Sequence, residues 1–182
     1  QLEYTWLRSL MGAHADFWQV TSDGLDFALA ANGVSDRALH DKLMGLYLSL
    51  DAYDEVAATL TSLKGAGLTT AILSNGSPRM LEAAVRSAGI GKLLDANLSI
   101  EAVGIFKPDA RVYQLAVDRL AVRKDEICFL SSNCWDAKAA AHFGFKVAWI
   151  NRFKREADRL PGDFVTTLHR LDELLPLLGL DP

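Results

Sequence analysis

The amino-acid sequence predicts an α/β fold, in which a helical cap subdomain precedes a core built on a doubly wound parallel sheet. Residues 1 to about 52 carry apolar side chains at helical spacing only, whereas short apolar runs alternate with helical patterns after about residue 54. Such alternation is typical of parallel sheets that are covered by helices on both faces. We therefore expect a cap at residues 1–53 and a core at residues 54–182.

Three helices are expected in the cap. Leu2 and Trp6 fall on one face of the first helix. The second runs from about residue 16 to 31, and the third follows an N-cap at Ser35 or Asp36.

Strands and helices alternate in the predicted core. The expected elements, in chain order, are helix 55–64, strand 69–73, helix 79–88, strand 97–99, helix 109–120, strand 127–130, helix 135–143, strand 147–150, strand 164–166 and helix 168–178.

The composition excludes several classes of function. The net charge is -4 and no basic stripe is visible, which argues against a nucleic-acid partner. No apolar run approaches the roughly 20 residues that a membrane span needs. Two cysteines, Cys128 and Cys134, are too few for a disulfide scaffold and lack zinc-site spacing. We expect a cytoplasmic protein.

Polar residues follow the predicted strand at 69–73. Ser74 and Asn75 come at its carboxyl end, where open α/β sheets bind ligands. Ser74 and nearby backbone amides are suited to hold an anionic group beside a helix N-terminus. A plain strand-to-helix turn explains Ser77 as N-cap and Pro78 as the first helical residue, but it does not explain Ser74 and Asn75.

Lys107 stands immediately before Pro108, which fixes the start of the next helix. A lone lysine is normally a solvated surface charge. Beside a cleft, however, an ammonium group can neutralise clustered carboxylates. Tyr113, further along this helix, suits either core packing or the site.

A third polar stretch follows the strand at 127–130. Ser131, Ser132 and Asn133 end this strand, and Asp136 opens the next helix. An ordinary N-cap with an acid in the first turn needs only one polar residue, and here there are several.

The order and spacing of these motifs resemble motifs two, three and four of the haloacid dehalogenase superfamily, whose core is Rossmann-like. The likeness covers essentially the whole chain and is sharper for the type II (S)-2-haloacid dehalogenases. It rests on five blocks, which are residues 1–11, residues 73–78, Lys107-Pro108-Asp109 with Val112-Tyr113, Ser131-Ser132-Asn133 with Trp135-Asp136, and residues 149–152.

The resemblance implies a hydrolysis of short (S)-2-haloacids, through an aspartyl ester that water then cleaves, without a cofactor. Asp136 would activate that water, Ser131 and Asn133 would position it, and Lys107 would orient carboxylates. The other implied residues are Ser74 and Asn75 at the substrate carboxylate, Tyr113 as a supporting polar group, and Leu2, Phe17 and Trp135 as apolar neighbours of the alkyl group and halide. A homodimer is also implied.

One residue difference separates the dehalogenase hypothesis from the hypothesis of a phosphatase of the same superfamily. The phosphatase motif places paired acids to hold Mg²⁺, and the position of the first acid resembles Ser132. We therefore expect no metal site, although a small-metabolite phosphatase stays an alternative.

The family's nucleophilic aspartate and halide-binding arginine have no counterpart in these 182 residues. The resemblance thus implies a missing N-terminal segment that contains the first core strand. Such a piece alone is expected to be inactive and unstable. A non-catalytic homologue is the third hypothesis.

Overall fold

The N-terminal part of the chain folds into three helices, as the sequence predicts. The computed structural model describes residues 1–181, in which these helices are α1 (Leu2–Met11), α2 (Phe17–Ala31) and α3 (Arg37–Leu46). Asp16 caps α2 by accepting from the Gln19 N–H at 3.0 Å. Asp36 caps α3 in the same way through Leu39 N–H, so the predicted N-cap is confirmed.

Strands and helices alternate in the rest of the chain, which confirms the predicted α/β class. The elements are α4 (Val56–Gly65), β1 (Ala71–Ser74), α5 (Pro78–Ser87), β2 (Ala96–Ser99), α6 (Ala110–Leu120), β3 (Cys128–Ser131), α7 (Cys134–Phe143), β4 (Lys146–Ile150), β5 (Thr166–Leu168) and α8 (Leu174–Leu177).

Two compact units divide the chain. The first comprises Gln1–Ala52 and Ala71–Lys107, and the second comprises Tyr53–Thr70 and the chain from Pro108 onwards. In the first unit, β1 and β2 form a parallel pair. In the second, β3, β4 and β5 form a parallel sheet in that order. The division into a cap at 1–53 and a core at 54–182 stays a prediction.

The apolar core of the second unit lies between its sheet and two helices. Leu63 of α4 and Leu175 of α8 are buried with Ala148, Ile150 and Leu168 of the sheet. Among residues 1–181, no helix combines the length and the apolar character that crossing a membrane requires.

The structure corrects two expectations about strands and one about a helix. The apolar runs at 69–73 and 127–130 predict buried strands, but β1 and β3 are exposed or half-buried, because each pairs with one neighbour only within residues 1–181. The strand expected at 164–166 begins at Thr166, and the helix expected at 168–178 shrinks to α8. Leu168 instead completes the strand, opposite Ile150 of β4.

Candidate functional site

The first polar cluster follows β1 in the first unit. Ser74 ends this strand, and its Oγ accepts the Gly76 N–H at 3.0 Å. Ser99, the register partner of Ser74 on β2, donates its hydroxyl to the Gly76 carbonyl at 2.7 Å. The loop after β1 is therefore held by two serines at the carboxyl ends of paired strands.

Lys107 belongs to the same cluster. Its backbone N–H donates to Asn75 Oδ1 at 3.1 Å, so the structure brings these two predicted residues together. The Lys107 side chain is buried, with 6 % of the residue exposed. An ammonium group in this cluster suits an anionic ligand, because opposite charges attract more strongly where water is excluded. The side chain of Asn75 thus fixes the lysine backbone.

Phe17 and Leu2, two of the predicted apolar residues, lie on α2 and α1. The Phe17 ring is 6.1 Å from that of Phe106, which precedes Lys107. The Phe17 N–H donates to Glu101 Oε1 at 3.3 Å. Leu2 begins α1 and is 38 % exposed.

The second polar cluster follows β3 in the second unit and is centred on Asp136. This residue is 4 % exposed and lies in the first turn of α7. Tyr113 donates its hydroxyl to Asp136 Oδ1 at 2.8 Å, and Ser131 donates to Oδ2 at 3.0 Å. Two directed hydrogen bonds therefore hold a buried carboxylate in one orientation.

Tyr113 is a hydrogen-bond donor to this carboxylate. Burial raises the pKa of Tyr113 well above its ordinary value, and the Asp136 charge and hydrogen bond raise it further. Its hydroxyl is completely buried in α6 and stays protonated at neutral pH. The structure resolves the predicted ambiguity, since Tyr113 packs against Phe129, Phe143 and Phe145 and also reaches Asp136.

Asn133 and Trp135 flank the start of α7. Asn133 is the exposed N-cap of α7 without a side-chain capping bond, and its N–H donates to Ser131 Oγ at 3.2 Å. Trp135 is half-buried in the first turn. The hydroxyl of Ser131 is thus engaged with both Asn133 and Asp136.

Sequence analysis assigned no role to Trp149, although it lies in one of the resembling blocks. Trp149 of β4 is the register partner of Ser131 of β3 and is 4 % exposed. Its indole N–H donates to the Ser132 carbonyl at 3.3 Å. A buried indole N–H near a strand end needs a hydrogen-bond acceptor, and this requirement could have indicated a role for Trp149.

Each unit thus contains a polar cluster after parallel strands, which is the arrangement of an α/β enzyme. Within residues 1–181, no three histidine, cysteine, aspartate or glutamate side chains come together as possible metal ligands.

Comparison with known proteins defines the family. A family model of haloacid dehalogenase-like hydrolases matches residues 3–144. The chain is 47 % identical to (S)-2-haloacid dehalogenase 1 of Pseudomonas sp. (strain CBS-3), with 97 % of this chain and 77 % of that protein covered. The chain therefore belongs to the haloacid dehalogenase-like hydrolases, and it groups with their (S)-2-haloacid dehalogenases.

Solved structures agree with this assignment. A dehalogenase crystal structure matches with a TM-score of 0.95 and 45 % identity, covering 99 % of this chain and 80 % of that one. The L-2-haloacid dehalogenase of Xanthobacter autotrophicus, with chloropropionic acid covalently bound, matches with a TM-score of 0.91 and 33 % identity, covering 98 % and 82 %.

Proposed function

We propose that this protein hydrolyses short (S)-2-haloalkanoic acids to (R)-2-hydroxyalkanoic acids without a metal ion. The observation that carries the proposal is the buried Asp136 carboxylate, held by Tyr113 and Ser131. By its resemblance to the fourth motif of the superfamily, Ser132 takes the position at which a phosphatase has the first of its paired acids. One carboxylate fixed by two neutral donors suits a base for water better than it suits a ligand for Mg²⁺.

The first step is an in-line displacement. An aspartate carboxylate, from a stretch with no counterpart in these 182 residues, attacks C2 of the haloacid, and the halide leaves with the electron pair of the broken bond. The covalently bound chloropropionic acid in the Xanthobacter relative supports an ester of this kind. We assign the substrate carboxylate to Ser74 and the amides near Asn75, and its orientation to Lys107.

The second step consumes water. Asp136 takes a proton from water, whose oxygen attacks the ester carbonyl carbon to form a tetrahedral intermediate. This intermediate collapses with cleavage of its bond to the substrate oxygen, which takes the proton from Asp136 and leaves as the hydroxy acid, while the nucleophilic aspartate is restored as a carboxylate. Ser131 and Tyr113 orient the Asp136 carboxylate in this step. We assign water placement to Asn133, and contact with the alkyl group and halide to Leu2, Phe17 and Trp135.

The test measures halide release by the full-length gene product in the presence of EDTA. (S)-2-chloropropionate should release chloride at the same rate with and without EDTA, whereas the (R)-isomer should release little. A protein that requires Mg²⁺ and cleaves p-nitrophenyl phosphate, but not the haloacid, would be a phosphatase.

Substitution of Asp136 tests the assigned step. Asp136→Asn should lower turnover by about a hundredfold or more, because an amide cannot accept the proton from water. The ester should then accumulate and add mass to the quenched protein. Asp118→Asn is the matched control, since Asp118 is exposed on α6 and accepts a hydrogen bond from Gln114. Unchanged turnover of Asp136→Asn would contradict the role of Asp136.

We also propose that the protein is a cytoplasmic homodimer whose cap comprises residues 1–53. Two exposed leucines of the cap, Leu46 and Leu50, support self-association, together with the half-buried Leu43 and Tyr47. Light scattering of the purified full-length protein measures its mass in solution. A monomer at micromolar concentration would contradict the dimer.

A further inference from the structure

We propose that Trp149 is a positioning residue, whose indole N–H fixes the peptide between Ser132 and Asn133 and thereby the Ser131 hydroxyl on Asp136. This inference rests on the proposed function, because it deepens the account of the water-activating cluster. Its basis is a single chain of hydrogen bonds in the second unit, which begins at the Trp149 indole and ends at the Asp136 carboxylate.

The Ser132–Asn133 peptide is held at both of its ends. Its carbonyl oxygen accepts the Trp149 Nε1–H at 3.3 Å, and its N–H donates to Ser131 Oγ at 3.2 Å. The C=O and N–H of one peptide lie in one plane and point in opposite directions. These two bonds therefore set the orientation of the plane, although Ser132 and Asn133 are both exposed.

The direction of the hydrogen bonds links the orientation of the Ser132–Asn133 peptide to the Asp136 carboxylate. Ser131 Oγ accepts from Asn133 N–H, and its own proton goes to Asp136 Oδ2 at 3.0 Å, because a carboxylate only accepts. Donors therefore run in one direction from Trp149 to Asp136. Such chains polarise each member, so an acceptor bond at the Ser132 carbonyl strengthens the donor bond of the same peptide.

Trp149 is well placed to act as the fixed end of this chain. It is 4 % exposed, and its backbone pairs with Ser131 in the parallel β3–β4 register. Its ring packs on Phe164, with 5.5 Å between ring centroids. The Lys138 ammonium lies over the Phe164 ring, 4.6 Å from its centroid, and donates to the Gly162 carbonyl at 2.8 Å. The indole thus has little freedom to move away from Ser132.

Trp149→Phe in the full-length protein removes the N–H donor and keeps an aromatic ring against Phe164. We expect ester hydrolysis to slow on the order of tenfold, since small displacements of reacting groups cost this much, while the halide burst of the first step changes less than about twofold. The ester should accumulate during turnover, as quenched intact mass would show. Trp18→Phe is the matched control, because its half-buried indole lies on α2 near Arg79.

A second measurement does not depend on turnover. Hydrogen exchange of the Asn133 amide, followed by NMR in the resting protein, should quicken about tenfold in Trp149→Phe, because a hydrogen bond of the loop is weakened. Phe164→Leu, which removes the ring behind the indole, should move both readouts in the same direction and less far. It serves in place of Trp149→Phe if that variant does not fold.

The outcomes separate the inference from the proposed function. Unchanged Asn133 exchange overturns the role of Trp149, whether or not the protein releases halide. Quickened exchange with an unchanged rate of ester hydrolysis overturns it as well. A parent protein that releases no halide from any 2-haloacid contradicts the proposed function, and the exchange measurement still decides whether Trp149 fixes the loop.

Discussion

Asp136 is the residue on which the hydrogen bonds of the second cluster converge. Its Oδ1 accepts from Tyr113 and its Oδ2 from Ser131, so each oxygen has a directed donor. The sequence showed that Asp136 opens a helix after a polar strand end. It could not show which atom of Ser131 or Tyr113 faces the carboxylate, because that depends on how α6 and α7 pack.

Tyr113→Phe isolates one of these two donors. The variant keeps the ring contacts with Phe129 and Phe145 but leaves a buried carboxylate oxygen without its hydroxyl partner. We expect a loss of about 2 kcal/mol in the free energy of unfolding, as is typical of a hydrogen bond to a charged group. Turnover should fall about tenfold, because the carboxylate is less well oriented.

Urea unfolding and halide release measure these two effects separately. Tyr4→Phe, on a half-buried tyrosine of α1, is the matched control. Equal stability and equal turnover in Tyr113→Phe would show that the hydroxyl contributes nothing to Asp136.

At the level of elements, local signals predicted most of the fold. The bounds of α5, α6 and α7 agree with the prediction within a residue or so, because Ser77-Pro78 and Asp109 begin two of these helices and Gly144 ends the third in a left-handed conformation. The bounds of the C-terminal strand and helix were predicted wrongly. Leucines at helical spacing favoured a helix over 168–178, whereas Leu168 pairs with β4 and the Leu171 N–H donates to distant Glu55. Contacts so remote in sequence leave no local pattern.

Gly162 packs so closely against the backbone of α7 that a larger residue should destabilise the protein. A Cβ at this position would lie 2.2 Å from the Lys138 carbonyl oxygen, and φ is +103°. Gly162→Ala should therefore cost more than the 1–2 kcal/mol, roughly, that a left-handed backbone alone costs an L-residue. The Lys138 carbonyl cannot move away easily, because it belongs to the hydrogen-bonded backbone of α7.

Gly33→Ala provides the matched control for this clash. Gly33 has a φ of +67° but open space around its Cβ position, so only the backbone penalty applies there. Chemical unfolding of the two variants compares their free energies. If Gly162→Ala is no less stable than Gly33→Ala, the close approach to Lys138 has no energetic consequence.

Across the whole molecule, the two clusters occupy equivalent places, since each follows parallel strands at their carboxyl ends. The sequence predicted both places, because polar residues at strand ends are visible locally.

Glu55 was not predicted from the sequence. It is buried at the start of α4 and binds residues about a hundred positions away. Glu55 accepts from the Arg152 guanidinium and from the Leu171 N–H. Tyr53 stacks on the same guanidinium at 3.8 Å.

Glu55→Gln tests whether this ion pair stabilises the second unit. Burial disfavours the charged carboxylate, but the hydrogen bonds from Arg152 and from backbone amides outweigh it, so the pKa of Glu55 lies below its ordinary value. A depressed folded-state pKa gives stability that is present above the unfolded pKa of about 4.3 and is lost as the pH falls through the folded value. At pH 7 the variant should lose about 3 kcal/mol, because the half-buried Arg152 is left without its carboxylate.

Urea unfolding at pH 7 and again near pH 3 measures this dependence. The difference between parent and Glu55→Gln should shrink at the lower pH, because the carboxylate of the unfolded parent binds a proton there more readily than the folded one does, whereas the glutamine does not titrate. Glu82→Gln is the matched control, since its pair with Arg86 is exposed on α5 and should contribute little at either pH. If the difference in the free energy of unfolding stays constant with pH, Glu55 acts through packing rather than charge. The ion pair with Arg152 would then not be the interaction that joins α4 to the end of β4.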